Sequence, residues 1–252
     1  MDVSTIPAPR SGMIRAGRFF FKYRDFLFPL VFLPLALGTT PHKFLDDPQS
    51  DVPLQILGVL LVVAGQGLRA LVIGLDYIVR GGKNKQIYAN KLVQGGIFAH
   101  SRNPLYLGNL LIITGLVVIH NGKWMYLIAL PFYCFVYMAI VAAEESYLAA
   151  QFGGEYAEYR RRVPRFLVRP SGLWTTIRSM RFDWMRLARK EYGTMFSTGT
   201  AVFALMAWEL ICADGWERSI DSIRLLILLW TPCILAYVTV RVLKKRGALG
   251  TG

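Results

Sequence analysis

The sequence predicts an all-α, polytopic integral membrane helix bundle with about six transmembrane helices and a cytoplasmic interfacial helical segment. Of its 252 residues, 54% are hydrophobic and 18% are charged, whereas soluble domains are about 45–50% apolar and about 25% charged. The apolar residues form separate blocks, and the basic residues behind the net charge of +13 lie between those blocks. This composition excludes a soluble globular enzyme. The charge fits membrane-flanking loops better than a groove for nucleic acid, so we expect no nucleic-acid partner.

Six apolar stretches are long enough to be candidates for crossing the bilayer, because about 20 helical residues span roughly 30 Å of hydrocarbon. The first stretch is the weakest, since Lys22, Arg24 and Asp25 interrupt its start. The candidate spans are 19–38, 52–79, 103–120, 123–143, 196–213 and 220–242.

The distribution of basic residues predicts the orientation of these spans. Lys and Arg accumulate in cytoplasmic loops, and most of the 29 basic residues lie in every second connecting segment. An even number of crossings with both termini cytoplasmic fits this alternation. The segments assigned to the cytoplasm are 1–25, 80–102, 146–195 and 241–252.

The sequence makes specific predictions for two of the segments that connect these spans. The turn at Asn121–Gly122 is so short that the third and fourth spans should form a tight antiparallel hairpin with adjacent cytoplasmic ends. Segment 171–195 has apolar residues at helical spacing, including Leu173 and Ile177, with most arginines outside that stripe. This pattern favours a helix lying in the membrane interface over a solvated connector.

The stretch that leads into the third span is unusually polar. Pro104 is suited to the first turn of a helix, where a missing N–H costs little. Helix N-termini attract carboxylates and phosphates, Tyr106 and Asn109 share one helical face, and Gly108 permits close approach. These features fit ligand binding and fit helix capping with lipid-headgroup contacts, and both interpretations remain open here.

Glu144 and Glu145 are adjacent carboxylates at the expected end of the fourth span. Negative charge is unfavourable at a helix C-terminus, so a compensating partner is expected. Arg102, Arg165 beyond an expected helix break at Gly153-Gly154, or a cationic ligand would serve, and the alternative is a structural salt-bridge network.

Other titratable residues have both functional and structural interpretations. His100 is a candidate base if an acceptor carries a proton, but a surface histidine fits its loop position better. Arg69 and Asp76 share a face of the second span. They are candidates for a functional pair, since ionisable residues inside a membrane are often functional, or for a pair that stabilises the bundle. The cysteines Cys134, Cys212 and Cys233 lie in apolar runs without CxxC spacing, so neither a disulfide framework nor a metal site is expected.

Several short motifs, in order, resemble those of the isoprenylcysteine carboxyl methyltransferase-like family, within the membrane methyltransferases that include phospholipid methyltransferases. The resemblance covers roughly residues 60–170. Asn103 stands where that family usually has His. The matching stretches are Gly95-Gly96-Ile97-Phe98, Arg102 to Gly108, Glu144 to Leu148, Phe152 to Tyr159 and Val163-Pro164-Arg165.

The resemblance implies an S-adenosylmethionine-dependent methyltransferase with its cofactor at the cytoplasmic end of the bundle. The acceptor would be lipophilic or prenylated and would enter from the lipid bilayer, with an isoprenylcysteine-type carboxylate or a lipid headgroup as the methylated group. Glu145, Arg165 and Arg102 are the implied catalytic residues. The implied cofactor-binding residues are Gly96, His100, Arg102, Asn103, Pro104, Tyr106, Gly108, Asn109, Glu144, Glu145, Tyr156 and Tyr159.

Three regions follow from this interpretation: an N-terminal lead and first span over 1–51, a methyltransferase-like core over 52–170, and an amphipathic helix with two further spans over 171–252. Two other functions fit part of the sequence. An NADPH-dependent sterol-type membrane reductase would share the Arg-x-Pro-x-Tyr segment, and a non-catalytic membrane scaffold would bind neither nucleotide.

Overall fold

The computed structural model describes residues 11–41, 48–75 and 87–248, and this part of the chain contains helices and no strand. A 3₁₀ turn over Gly96–Ala99 precedes the third helix, and a π-helical turn over Met125–Ala129 leads into the fourth. Asp76 and His42 lie outside the described residues. The α-helices are α1 (Ser11–Gly38), α2 (Pro48–Leu75), α3 (Pro104–His120), α4 (Leu130–Arg162), α5 (Leu173–Ser179), α6 (Trp184–Asp214) and α7 (Trp216–Lys245).

Four helical stretches are long and apolar enough to cross a membrane: Val52–Leu75, Met125–Arg162, Trp184–Asp214 and Trp216–Lys245. The protein is therefore an integral membrane protein. Helix α3 is apolar but has only 17 residues, and charged residues shorten the apolar part of α1. A helix is present at each of the six predicted spans, while the count of six crossings and their orientation stay predictions.

Close backbone contacts hold α2 against α3. An added Cβ at Gly65 would lie 2.5 Å from the carbonyl oxygen of Gly108, and one at Gly115 would lie 2.5 Å from that of Gly58. Two glycines seven residues apart on each helix therefore form one smooth stripe. Without side chains in between, the two backbones pack at a distance that larger residues would prevent.

The fourth helix is longer than the sequence predicted. The short connection after α3 is confirmed, with Asn121 in the left-handed conformation at φ 52°. Helix α4 then continues to Arg162, so Glu144 and Glu145 lie inside it and not at its C-terminus. The predicted conflict with the helix dipole was therefore wrong. The expected break at the glycine pair is confirmed, because Gly153 interrupts the helical dihedrals with φ 49°.

Segment 171–195 is not one interfacial helix. It consists of α5 and the first turns of α6, and Asp183 separates them as the N-cap of α6. The Asp183 carboxylate accepts a hydrogen bond from the backbone N–H of Arg186 at 2.8 Å, which lowers the pKa of this carboxyl group. The periodic pattern did not reveal this cap, because apolar spacing continues on both sides of it.

Candidate active site

Two loops are joined side by side at the end of the bundle where the charged residues meet. The backbone N–H of Arg102 donates to the carbonyl of Pro164 at 2.9 Å. The Asn103 side-chain amide donates to the carbonyl of Arg165 at 3.0 Å, and the Ser101 hydroxyl donates to that of Phe166 at 3.1 Å. These bonds hold the loop before α3 against the loop after α4.

This pairing places two arginines on opposite sides of one carboxylate. The Nη2 atom of Arg102 lies 3.2 Å from Oε1 of Glu145, and Nη2 of Arg165 lies 3.1 Å from Oε2. The exposed fractions of the side chains are 9% for Arg102, 11% for Glu145 and 34% for Arg165. The structure therefore brings the three predicted catalytic residues together, while their role in catalysis stays a prediction.

Two cavities lie beside these ion pairs, and Arg102 lines both of them, whereas Glu145 and Arg165 line neither. The first, of about 360 Å³, is lined by residues of α1, α2, α3, α4 and α6, and the second, of about 390 Å³, lies between segment 88–93 and α4. Since Phe98, Arg102, Asn103 and Glu144 line both cavities, these four residues form the boundary between them. Three of these four shared residues are polar or charged, so the boundary between the two cavities is mainly polar.

Glu144, on this boundary, is held by a neighbouring phenol. The Tyr106 hydroxyl donates to Oε1 of Glu144 at 2.6 Å, and the ring of Tyr106 contacts that of Tyr137. Pro104 and Asn109 also line the first cavity, and Pro104 occupies the first turn of α3 as expected. The face shared by Tyr106 and Asn109 therefore points into a cavity.

Tyr159 lies at the second cavity, and Tyr156 packs against it without lining either cavity. Tyr159 lines this cavity, and its hydroxyl donates to the carbonyl of Phe98 at 2.8 Å. Tyr156 is buried, and its ring packs against that of Tyr159 with centroids 6.2 Å apart. Both residues belong to the last turns of α4 beyond the break at Gly153.

Three of the predicted cofactor residues have other contacts. His100 is buried and not at the surface: Nδ1 contacts the carbonyl of Arg169 and Nε2 contacts the hydroxyl of Thr176, each at 2.9 Å. Gly108 faces α2, and Gly96 lies in the turn before α3 with φ 58°. None of these three lines either cavity. They position the loop and the helix, and any contact with a cofactor stays a prediction.

The sequence analysis missed several residues that line the cavities. Arg24 and Asp25 of α1 reach the first cavity, together with Thr194 of α6. Charged residues inside an apolar helix are a signal for function, and the interruption of the first span was that signal. Nothing in the sequence pointed to Thr194 or to segment 88–93. Among the residues with described coordinates, no three His, Cys, Asp or Glu side chains are grouped to hold a metal ion.

Residues 53–155 match the phospholipid methyltransferase family. The resemblance to this group of membrane methyltransferases is thereby confirmed over that segment, which contains Arg102, Tyr106, Glu144 and Glu145. Arg165 and helices α5 to α7 lie beyond the family segment.

A similar curated protein is the cobalt-zinc-cadmium resistance protein CzcN of Cupriavidus metallidurans. It is 35% identical over 127 residues, which are 48% of this chain and 53% of CzcN. The chain therefore spans about half the length of that relative. No solved structure matches the chain significantly.

Proposed function

We propose that the protein transfers a methyl group from S-adenosylmethionine to an amphiphilic acceptor at the membrane surface. The observation that carries this proposal is the paired arrangement of Arg102, Arg165 and Glu145 beside two cavities with one shared wall. Membership of residues 53–155 in a methyltransferase family supports the reaction type.

The polar groups around the second cavity fit S-adenosylmethionine. Among the described residues, Nε and Nη1 of Arg102 are buried without a hydrogen-bond acceptor, and Oε1 of Glu145 has only its ion pair with Nη2 of Arg102. Arg102 would bind the methionine carboxylate, and Glu144 or Glu145 would accept hydrogen bonds from the amine or the ribose hydroxyls. Phe98 and Leu148 supply apolar surface for the adenine.

When bound, S-adenosylmethionine supplies an electrophilic methyl carbon on a positively charged sulfur. The residues of this chain need to orient the acceptor in line with that carbon and to exclude water, because methyl transfer depends on positioning more than on acid–base strength. The electron-rich rings of Tyr106 and Tyr159 suit a neighbouring cation. Half-buried Glu144 favours an acceptor with a positive or hydrogen-bonding group.

We infer that the first cavity receives the acceptor. Helices α1 and α4 bound it, and its wall combines the apolar rings of Phe28 and Tyr137 with the guanidinium groups of Arg24 and Arg69. This mixture suits the junction between a lipid chain and a polar headgroup. The proposal includes an isoprenylcysteine-type carboxylate and a lipid headgroup as acceptors, and a site on the cytoplasmic side with both termini there.

Calorimetry on the purified full chain tests the cofactor. We expect S-adenosylmethionine to bind and NADPH not to bind. Incubation with methyl-labelled S-adenosylmethionine and a total lipid extract should then give a labelled lipid product. Binding of NADPH without S-adenosylmethionine would replace the transferase with a reductase, and binding of neither nucleotide would favour a non-catalytic scaffold.

A further inference from the structure

Helix α6 contributes to the first cavity although it lies outside the family segment. Thr194 lines this cavity together with Arg69 of α2 and Asn109 of α3. Glu191 precedes Thr194 by three residues, so the two lie on the same face of α6. The C-terminal part of the chain therefore reaches the region where the acceptor would bind.

Glu191 binds Arg69 through a forked pair of contacts. Nε of Arg69 donates to Oε2 of Glu191 at 3.0 Å, and Nη2 donates to Oε1 at 2.7 Å. Gln66 also donates to Oε2 at 3.1 Å, and Nη1 of Arg69 donates to the side-chain oxygen of Asn109. The exposed fractions of the side chains are 3% for Arg69 and 0% for Glu191, so water does not weaken the pair.

The fork fixes the plane of the guanidinium group. Arginine has five N–H donors, and these contacts use three of the five in Arg69. Within the described residues, one N–H on Nη1 and one on Nη2 have no acceptor. Since Arg69 lines the first cavity, an oxygen of a bound headgroup is a fitting acceptor for both.

A second polar contact joins α6 to α2 at a distance from Arg69 and Glu191. Near the other end of α6, the Gln55 amide donates to Oε1 of Glu209 at 2.6 Å, beside a separate cavity. A buried ion pair is weak evidence for stability, because desolvation offsets most of its attraction. Ionisable residues inside a membrane helix bundle are instead typical of functional sites.

We propose that α6 completes the acceptor cavity. In this arrangement Arg69 binds an anionic oxygen of the acceptor, from a phosphate or a carboxylate, and Glu191 is the positioning residue that holds Arg69 in place. The inference rests on the proposed function and adds the chemistry of the acceptor's headgroup and the role of the C-terminal helices.

The test compares Glu191→Gln with Glu209→Gln, which removes a carboxylate from the same helix far from the site. Both variants of the full chain are assayed with labelled S-adenosylmethionine and increasing total lipid extract. We expect Glu191→Gln to raise the lipid concentration at half-maximal rate about tenfold, as for a lost hydrogen bond to a charged group. Its dissociation constant for S-adenosylmethionine should stay within about twofold of wild type. Glu209→Gln should change neither quantity.

A separate variant covers the case in which Glu191→Gln does not fold. Thr194→Leu keeps the ion pair and fills part of the cavity, and it should raise the same lipid concentration without weakening S-adenosylmethionine binding. Phospholipid products and carboxyl methyl esters among the labelled lipids distinguish the two sources of anionic oxygen. A labelled product whose acceptor carried no phosphate or carboxylate before methyl transfer would overturn the role of Arg69.

The outcomes separate the two proposals. If wild-type protein binds no S-adenosylmethionine or labels no lipid, the proposed function fails and this inference fails with it. If wild type transfers the label but the two glutamate variants behave alike, only the inference fails. When Glu191→Gln does not fold, a Thr194→Leu variant with wild-type lipid dependence likewise overturns the inference alone.

Discussion

The carboxylate of Glu145 is the centre of the candidate site, and Glu145→Gln is the sharpest perturbation of it. The amide keeps the size of the side chain and removes the negative charge between Arg102 and Arg165. Each arginine places Nη2 within 3.2 Å of a Glu145 oxygen, at 3.2 Å for Arg102 and 3.1 Å for Arg165. The variant therefore leaves two like charges next to each other without their counterion.

The expected size of the effect follows from this geometry. Unit charges 3.2 Å apart attract by about 5 kcal/mol at an effective dielectric constant of about 20, and breaking a buried pair costs about 3–5 kcal/mol. Arg165 is 34% exposed and regains solvation from water, whereas Arg102 is 9% exposed and does not. We therefore expect the free energy of unfolding to fall by about 3 kcal/mol. This decrease corresponds to roughly a hundredfold change in the folding equilibrium constant.

Thermal unfolding and label transfer, measured on the same preparations of wild type and each variant, test this prediction. Arg161→Ala is the matched control, because Arg161 lies in the same basic segment with an exposed side chain. We expect Glu145→Gln to lower the unfolding temperature and to reduce turnover about a hundredfold through misplacement of Arg102. Arg161→Ala should leave turnover within about twofold of wild type and the unfolding temperature within about one degree of it.

Equal and small effects of Glu145→Gln and Arg161→Ala would refute the reasoning. Such a result would mean that the ion pairs seen around Glu145 contribute neither to folding nor to the reaction. A loss of stability with unchanged turnover per folded molecule would retain the structural argument and remove Glu145 from the catalytic site.

Two further predictions concern the packing and the helix cap. Gly65→Ala should destabilise the protein by about 1–3 kcal/mol, because its Cβ would lie 2.5 Å from the Gly108 carbonyl; thermal unfolding checks this, and Gly67→Ala, which meets no atom within 4 Å, should not destabilise. Asp183→Ala should lower the unfolding temperature at neutral pH. Since the hydrogen bond from Arg186 lowers the pKa of Asp183 in the folded state, that stabilisation is present above the ordinary carboxyl pKa and is lost as the pH falls through the lowered value. An unfolding-temperature difference between wild type and Asp183→Ala that persists in strong acid would contradict this assignment.

Much of the local structure was predictable from the sequence. Apolar length located a helix at each of the six predicted spans but not α5, Pro104 marked the first turn of α3, and the break at Gly153 followed from a glycine pair. The expected need of Glu144 and Glu145 for a positive partner named Arg102 and Arg165 as candidates, although the argument from a helix C-terminus was wrong. These features depend on residues close together in the chain, or on a pattern shared with related sequences.

The walls of the cavities were not predictable in the same way. Arg24 looked like a defect in a membrane span, yet it lines the first cavity, and Thr194 carried no signal at all. His100 looked like a surface residue and is buried between two loops. Their surroundings come from elements far away in the sequence, so local patterns do not reveal them.

The sequence by itself determined that this protein is a membrane helix bundle, because hydrophobic length and charge distribution act residue by residue along the chain. The resemblance to membrane methyltransferases came from its short motifs, and the family match covers residues 53–155. Only the tertiary structure decided which buried charges meet. Arg69 pairs with Glu191, 122 residues away, because the packing of α6 against α2 and α3 brings the two together. A charge buried in a bundle needs a partner, but the folded arrangement of the helices determines which partner is within reach.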